Sequence, residues 1–296
     1  MRAMRTTMLV SLSLLLAACA GNEPAPAAPA TPSTTATLPP APTTATSATT
    51  PTTAATPAPA VAPEAAAPTI PPYIQAALDA TDRDEKDRAL DKGRHAAEML
   101  AFFGIAPGEK VGEIAAGGGY TTELLARVVG PSGVVYAENP PFIVEKFAAK
   151  PWAARLAKPV NKNVKRQDRE ADAPFSPEAK DLDAVVDVLF YHDTVWLKAD
   201  RDKMNKAIFD ALKHGGVYGI VDHSGRAGTG TGEVQTLHRI DEKAVVDEVT
   251  KAGFKLAGEG GFMRNASDPR DWNASPMAAG DKRGTSDRFV LKFVKP

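Results

Sequence analysis

A run of three glycines constrains this 296-residue chain more than any other feature, because it joins an apolar strand pattern to an amphipathic helix pattern. Residues 109–129 have the sequence EKVGEIAAGGGYTTELLARVV. Residues 111–114 predict a buried strand that carries the acidic Glu113, and Thr121–Val129 predict a helix. Glycine lacks Cβ, so the turn at Gly117–Gly119 lets a bound group approach the backbone and the first N–H groups of the helix. The pattern predicts a site for a nucleotide-like cofactor, with a plain strand-to-helix turn as the alternative.

The glycine spacing separates two kinds of cofactor turn. A dinucleotide fingerprint requires Gly-x-Gly-x-x-Gly, and Thr122 occupies the place of its third glycine. The segment more closely resembles motif I of the class I S-adenosylmethionine-dependent methyltransferases, an acidic residue followed by a glycine-rich loop. Ala115 stands where that family usually has its first glycine. The resemblance implies S-adenosylmethionine as the cofactor, bound by Glu113, Gly117, Gly118 and Gly119.

Strand and helix patterns alternate along the rest of the chain, which predicts an α/β fold. We expect helices near Thr121–Val129, Phe142–Ala157, Asp202–Lys213 and Asp241–Ala252, after a charged helical segment over Asp82–Phe103. We expect strands over Lys110–Ile114, Val134–Glu138, Val164–Gln167, Leu182–Phe190, Val217–Asp222, Phe254–Gly258 and Arg288–Val294. Right-handed crossovers then give a Rossmann-like, doubly wound sheet of about seven strands. Its last strand is expected to insert antiparallel, as in the class I methyltransferase fold that the chain resembles.

Two further positions match places where that family contacts its cofactor. The second predicted strand ends in Glu138-Asn139, where the family has an acid that binds the ribose hydroxyls. A carboxylate can accept from both hydroxyls, so Glu138 is preferred, and Asn139 stays open because the register is not known. The third strand is followed by Gln167 and Asp168, where the family contacts the adenine amino group. The alternative for both places is a solvent-facing polar residue at a strand end.

Two histidine–aspartate pairs follow predicted strands that the class I order makes neighbours. They are His192-Asp193 after the fourth strand and Asp222-His223 at the end of the fifth. Ligands bind outside the carboxyl ends of strands in open α/β sheets, so we expect both pairs at one mouth. An imidazole beside a carboxylate can take the proton from a methyl acceptor. A divalent metal site with Asp193, Asp222 and a histidine, and a purely structural role, remain as alternatives.

Other motifs narrow the substrate and resemble a more specific group. The segments AEMLAFFGIAPGEKV, YHD, ALKHGGVYGIVDH and LHRID together resemble exported bacterial proteins described as predicted methyltransferases. No Asp-Pro-Pro-Tyr or Asn-Pro-Pro-Tyr motif follows the fourth strand, which leaves amino-group methylation of adenine bases or of glutamine unsupported. Cys19 is the only cysteine, so a covalent pyrimidine route through a second thiol is closed. We therefore expect O-, N- or S-methylation of a small-molecule or envelope acceptor.

The N-terminal residues predict export and a lipid anchor. Two arginines precede a short apolar run, and LAAC at residues 16–19 resembles a bacterial lipobox with Cys19 as the lipidated residue. Ala20 after the cysteine implies sorting to the outer membrane, with the protein facing the periplasm. The expected organisation is a signal peptide over residues 1–18, an Ala/Pro/Thr-rich disordered tether over 19–72, and one folded domain over 73–296.

The net charge of the chain and its predicted export limit the partners that we expect. The net charge of −1 and a pI near 6.5 give no general attraction to nucleic acid, so we expect no nucleic-acid partner and contact with the membrane only through the anchor. S-adenosylmethionine is made in the cytoplasm and is charged, which makes its supply to an exported enzyme a difficulty. The alternative function is therefore a methyltransferase-fold lipoprotein that binds a nucleoside or another small ligand without catalysis.

Overall fold

A seven-stranded sheet forms the centre of the described part of the chain, residues 67–296 of a computed structural model. The predicted signal peptide, Cys19 and most of the predicted tether lie outside the described residues. Within residues 67–296, every helix is too short or too polar to cross a bilayer.

The strand order confirms the predicted fold. The strands are β1 (Lys110–Ile114), β2 (Val134–Asn139), β3 (Val164–Asp168), β4 (Leu182–Val188), β5 (Leu212–His223), β6 (Lys255–Glu259) and β7 (Arg288–Val294). Their order in the sheet is β3-β2-β1-β4-β5-β7-β6. The first five strands are parallel, and β7 lies antiparallel between β5 and β6. The sheet is therefore α/β with a reversed last strand, as the class I methyltransferase pattern predicts.

Helices cover both faces of the sheet. They are α1 (Pro72–Asp79), α2 (Glu85–Arg94), α3 (Ala96–Phe103), α4 (Tyr120–Val129), α5 (Pro141–Ile143), α6 (Ala149–Leu156), α7 (Tyr191–Trp196), α8 (Arg201–Ala211), α9 (Val234–Leu237) and α10 (Glu242–Lys251). A π-helical turn over Val144–Ala148 joins α5 to α6. One apolar core contains Leu124 and Trp152, and the second contains Ile208 and Val245. Strands buried on both faces need nearly continuous apolar sequence, as in AVV of β4.

The structure differs from the predicted elements at two places that matter for the site. The charged segment Asp82–Phe103 is two helices, because His95 takes a left-handed conformation with φ 46° and breaks the helix. The strand predicted to reach Phe190 ends at Val188, since Leu189 is also left-handed at φ 62° and turns the chain into α7. His192 and Asp193 therefore lie in a short helix and not at the end of a strand.

The folded region begins slightly ahead of Tyr73. Helix α1 starts at Pro72, its Ile74 is fully buried, and Ile70 packs against the core. The predicted boundary at residue 73 thus falls inside the first structured turn.

Candidate functional site

A cavity of about 390 Å³ lies at the carboxyl ends of β1, β4 and β5. The chain after β1 contributes Ala115–Gly118, the chain after β4 contributes Leu189 and Asp193, and β5 contributes its last residue, His223. This is the edge of the sheet where strand order reverses, and where open α/β sheets bind ligands. The glycine turn, Asp193 and His223 thus share one cavity, whereas His192 and Asp222, the other members of the two predicted pairs, do not line it.

The three glycines of the turn have different roles. Gly117 and Gly118 line the cavity, and Gly117 has a left-handed φ of 56°. A Cβ on Gly119 would lie 2.6 Å from Cγ of Arg155 and 2.9 Å from Cζ3 of Trp152. Gly119 is therefore required for packing against α6, whereas the other two leave room for a ligand.

Glu113 is a buried acid at the end of β1 that also lines the cavity. Its carboxylate accepts a hydrogen bond from the Thr122 hydroxyl in α4. Burial raises the pKa of Glu113 from 4.5 to about 7, against the opposing effects of that hydrogen bond and of Arg94. The group can therefore change charge near neutral pH when a ligand enters.

Arg94 is a half-buried cation on the same cavity wall. Its guanidinium lies 4.5 Å from the centre of the Tyr120 ring, and it has no hydrogen bond or ion pair to any residue within 67–296. Burial lowers its pKa. Arg94 was not among the predicted site residues, because its place in a charged stretch of sequence gives no sign that α2 packs across the mouth of the β1 turn.

Glu138 and Asn139 lie behind the glycine turn. Glu138 is fully buried, its Oε2 accepts from the backbone N–H of Ala115 at 2.9 Å, and burial raises its pKa well above the usual range. The Asn139 amide brackets Gly117, accepting from its N–H at 2.7 Å and donating to its carbonyl at 3.2 Å. Both side chains hold the turn in place and neither lines the cavity. Their contact with a ribose stays a prediction.

Gln167 and Asp168 at the end of β3 are also apart from the cavity. The Gln167 carbonyl accepts from the backbone N–H of Ser176 at 3.0 Å, and the exposed Asp168 pairs with Arg166. The contact of these two residues with adenine stays a prediction.

His192 and Asp222 form a buried pair across α7 and β5. The Nδ1 atom of His192 lies 2.6 Å from Oδ1 of Asp222, and both side chains are fully buried. The Asp222 carboxylate also accepts the backbone N–H groups of His192 at 2.8 Å and of His223 at 2.7 Å. These contacts fix the ring of His192 and leave its Nε2 directed towards Asp193, whose Oδ1 is 3.3 Å away.

A third histidine joins this cluster. His238 caps α9 in the left-handed conformation, φ 56°, and its ring centre lies 4.1 Å from that of His192. His223 packs 5.6 Å from His192, centre to centre, and its Nδ1 lies 2.7 Å from the Ser286 hydroxyl. His223, His238 and Asp193 line the cavity. The neighbouring Arg239 does not line the cavity and is fully buried against Asp268 and Trp272.

The three histidines have different proton affinities. Burial by itself would lower the pKa of His192, but Asp222 and Asp193 outweigh it and raise that pKa to about 9. Burial and the charge of His192 lower the pKa of His238 to about 4 and put that of His223 well below its usual range. His223 and His238 are therefore neutral at physiological pH and present nitrogen lone pairs.

Comparison with known proteins agrees with this architecture. The family model for protein-L-isoaspartate(D-aspartate) O-methyltransferase matches residues 86–221. An S-adenosylmethionine-dependent methyltransferase from Aquifex aeolicus superposes with a TM-score of 0.52 at 17% identity, covering 72% of this chain and 96% of that one. The complex of the Haloferax volcanii Trm112 methyltransferase activator with its putative methyltransferase superposes with a TM-score of 0.50 at 17% identity, covering 76% of this chain and 98% of the matched chain.

These likenesses establish the fold as that of class I S-adenosylmethionine-dependent methyltransferases. The family model that matches residues 86–221 is likewise that of a methyltransferase.

Proposed function

We propose that this chain transfers a methyl group from S-adenosylmethionine to O, N or S of a small-molecule or envelope acceptor. The observation that carries the proposal is a single cavity with the Gly117–Gly118 turn on one part of its wall and Asp193, His223 and His238 on another. A cofactor site and a proton-accepting site are thus adjacent, as methyl transfer requires.

The cavity residues fit the charges of the methionine part of the cofactor. The volume of the cavity, about 390 Å³, is within the range of small-ligand sites. Arg94, a cation without an acidic partner among the described residues, suits the cofactor carboxylate. Glu113 suits the ammonium group, which would favour ionisation of this buried carboxyl. Glu138 has one buried oxygen, Oε1, without a partner in residues 67–296, which supports its predicted role towards the ribose.

The residues that would act on the methyl acceptor are identified by their exposure to the cavity. S-adenosylmethionine, when bound, supplies an electrophilic methyl group. His223 reaches the cavity, and in the tautomer in which its Nδ1 donates to the Ser286 hydroxyl, its Nε2 is the nitrogen that can take a proton from the acceptor. His192 and Asp222 are fully buried, and with Asp193 they order the mouth.

The alternative is a lipoprotein that binds the cofactor or a nucleoside without transfer. Ala115 favours it, because the chain puts a Cβ at a cavity-lining position with a left-handed φ of 50°. Export, proposed from residues outside the described range, favours it too. In either case we propose anchoring through Cys19, and membrane fractionation of the Cys19→Ser variant tests this.

Calorimetry with S-adenosylmethionine and S-adenosylhomocysteine tests the cofactor site. A Cβ on Gly118 would lie 3.4 Å from Cβ of Pro151, an ordinary contact, so Gly118→Ala and Gly118→Val should fold. We expect graded weakening, with Val losing at least about tenfold in affinity as the cavity narrows. Equal affinity in all three proteins would contradict the site.

Transfer of labelled methyl from S-adenosylmethionine to envelope extracts separates the enzyme from the binder. His223→Ala should lower transfer by about 10²–10⁴-fold and leave S-adenosylhomocysteine affinity within a few-fold, because a base acts on the acceptor. Tight cofactor binding with no transfer to any fraction would favour the binder.

A further inference from the structure

We propose that His192, Asp193 and His238 bind one divalent transition-metal ion on the cavity wall. The three side chains come from α7 and from the cap of α9. One potential ligand atom from each lies within 4.8 Å of the other two.

The separations suit one shared ion. The Nε2 atom of His192 is 3.3 Å from Oδ1 of Asp193, and Nδ1 of His238 is 3.7 Å from the same oxygen. Metal–nitrogen and metal–oxygen bonds of about 2.0–2.2 Å in tetrahedral geometry put neighbouring ligand atoms roughly 3.3–3.6 Å apart. Only small side-chain rotations are therefore needed to coordinate an ion.

His192 supplies an independent indication of a ligand. Its side chain is fully buried, and Nε2 has no hydrogen-bond partner among residues 67–296, since the 3.3 Å contact with Asp193 lacks hydrogen-bond geometry. A buried ring nitrogen without a partner is costly, with or without its proton, unless another group occupies the direction in which it points. A metal ion on Nε2 would satisfy it.

Asp222 has the position of a supporting carboxylate. Its 2.6 Å contact with Nδ1 of His192 keeps a proton on Nδ1, so a metal ion that binds His192 would displace the proton on Nε2. Metal-binding histidines commonly donate their second N–H to a carboxylate, which orients the ring and increases its basicity. Two backbone N–H groups hold Asp222 in turn, so the support is rigid.

The ligand set indicates the class of metal. Two imidazoles and one carboxylate favour Zn²⁺, Co²⁺, Mn²⁺ or Fe²⁺ over Mg²⁺ and Ca²⁺, which prefer oxygen ligands. Asp193 and His238 line the cavity, so the remaining coordination positions would face the acceptor side. That orientation of an acceptor rests on the proposed function, whereas metal binding itself does not.

Titration of the chelator-treated full chain with Zn²⁺ tests the site by calorimetry. We expect one equivalent bound and at least about 100-fold weaker binding of Mg²⁺. Titration with Co²⁺ should give visible absorption bands of a low-coordinate site with nitrogen and oxygen ligands.

Matched variants make the result specific. His238 is partly exposed, so His238→Ala should fold and lose at least about tenfold in Zn²⁺ affinity, as should Asp193→Ala. His214→Ala is the control: it changes an exposed histidine outside the proposed site, and this variant should bind Zn²⁺ as tightly as the unchanged chain does. Zn²⁺ binding that is absent, or that both site variants retain, would overturn the proposal.

S-adenosylhomocysteine affinity is measured on the same metal-free proteins. An unfolding temperature of metal-free His238→Ala close to that of the metal-free unchanged chain shows that the variant is folded, and retained S-adenosylhomocysteine affinity shows that the cofactor site is separate. Loss of Zn²⁺ binding together with normal cofactor binding supports the metal site, whereas Zn²⁺ binding without any cofactor binding would contradict only the proposed function.

Discussion

Single side chains in the cavity combine structural and functional demands, and Glu113 shows this most clearly. Its position at the end of a buried strand keeps the carboxyl out of water, so the protonated form is favoured in the ligand-free protein. A cation that enters the cavity would reverse this preference. Glu113 therefore lowers the stability of the ligand-free protein at neutral pH and favours the binding of a positively charged ligand.

The pKa of Glu113 leads to a stability prediction. Because the folded-state value of about 7 exceeds the ordinary 4.5, the folded chain binds this proton more tightly than the unfolded chain. The free energy of unfolding should therefore fall by up to roughly 3 kcal/mol as pH rises from 4.5 to 8, and Glu113→Gln should remove that part of the decrease.

Urea unfolding at pH 5 and pH 8 measures this difference between the two proteins. Glu85→Gln, at an exposed position on α2, is the control and should keep the slope of the unchanged chain. The same slope in Glu113→Gln would show that the carboxyl is ionised in the folded state across this range.

At the scale of elements, the connection from β1 to α4 determines the shape of the cavity. Ala115 and Gly117 are both left-handed, and Glu138 and Asn139 of β2 bind their N–H groups. The neighbouring strand thus holds a conformation that alanine disfavours by about 1–2 kcal/mol.

Ala115→Gly tests this connection. Glycine removes the strain of the left-handed conformation, and this gain equals or exceeds the entropic cost of ordering a glycine on folding. The free energy of unfolding should therefore rise by about 0–1 kcal/mol. S-adenosylhomocysteine affinity should stay equal or increase, because the Cβ in the cavity is lost. Ala116→Gly, at a cavity residue with negative φ, should instead destabilise by about 0.5–1 kcal/mol. Thermal unfolding and calorimetry compare the two, and equal destabilisation would show that Ala115 is not strained.

At the scale of the whole described chain, α1 completes one core. Its Ile74 and Ala77 are buried, and α1 packs on α3 and α4. Residues 70–79 are therefore part of the folded unit.

Two truncations test that boundary. A chain of residues 67–296 should unfold at nearly the temperature of the longer chain. A chain of residues 80–296 should lose roughly 3 kcal/mol or more, because burial of Ile70 and Ile74 is lost, and should unfold about 5–10 °C lower. Calorimetric scans measure both, and equal unfolding temperatures would show that α1 adds no stability.

The sequence alone predicted the sheet and most of its helices, because strand and helix periods follow from which side chains must leave water. The apolar runs of β1, β2 and β4 and the glycines after β1 are local signals of this kind. The predicted strands also put both histidine–aspartate pairs near one edge of the sheet, because the carboxyl ends of parallel strands lie on the same side.

Only the tertiary structure decided which side chains line the cavity. Leu189 turns the chain early, α9 brings His238 within 4.1 Å of His192, and α2 places Arg94 at the mouth. Glu138 and Asn139 lie behind the turn because the register of β2 against β1 directs them there. These outcomes depend on contacts between residues far apart in the chain, and a local pattern of apolar and polar residues does not encode the direction in which a side chain finally points.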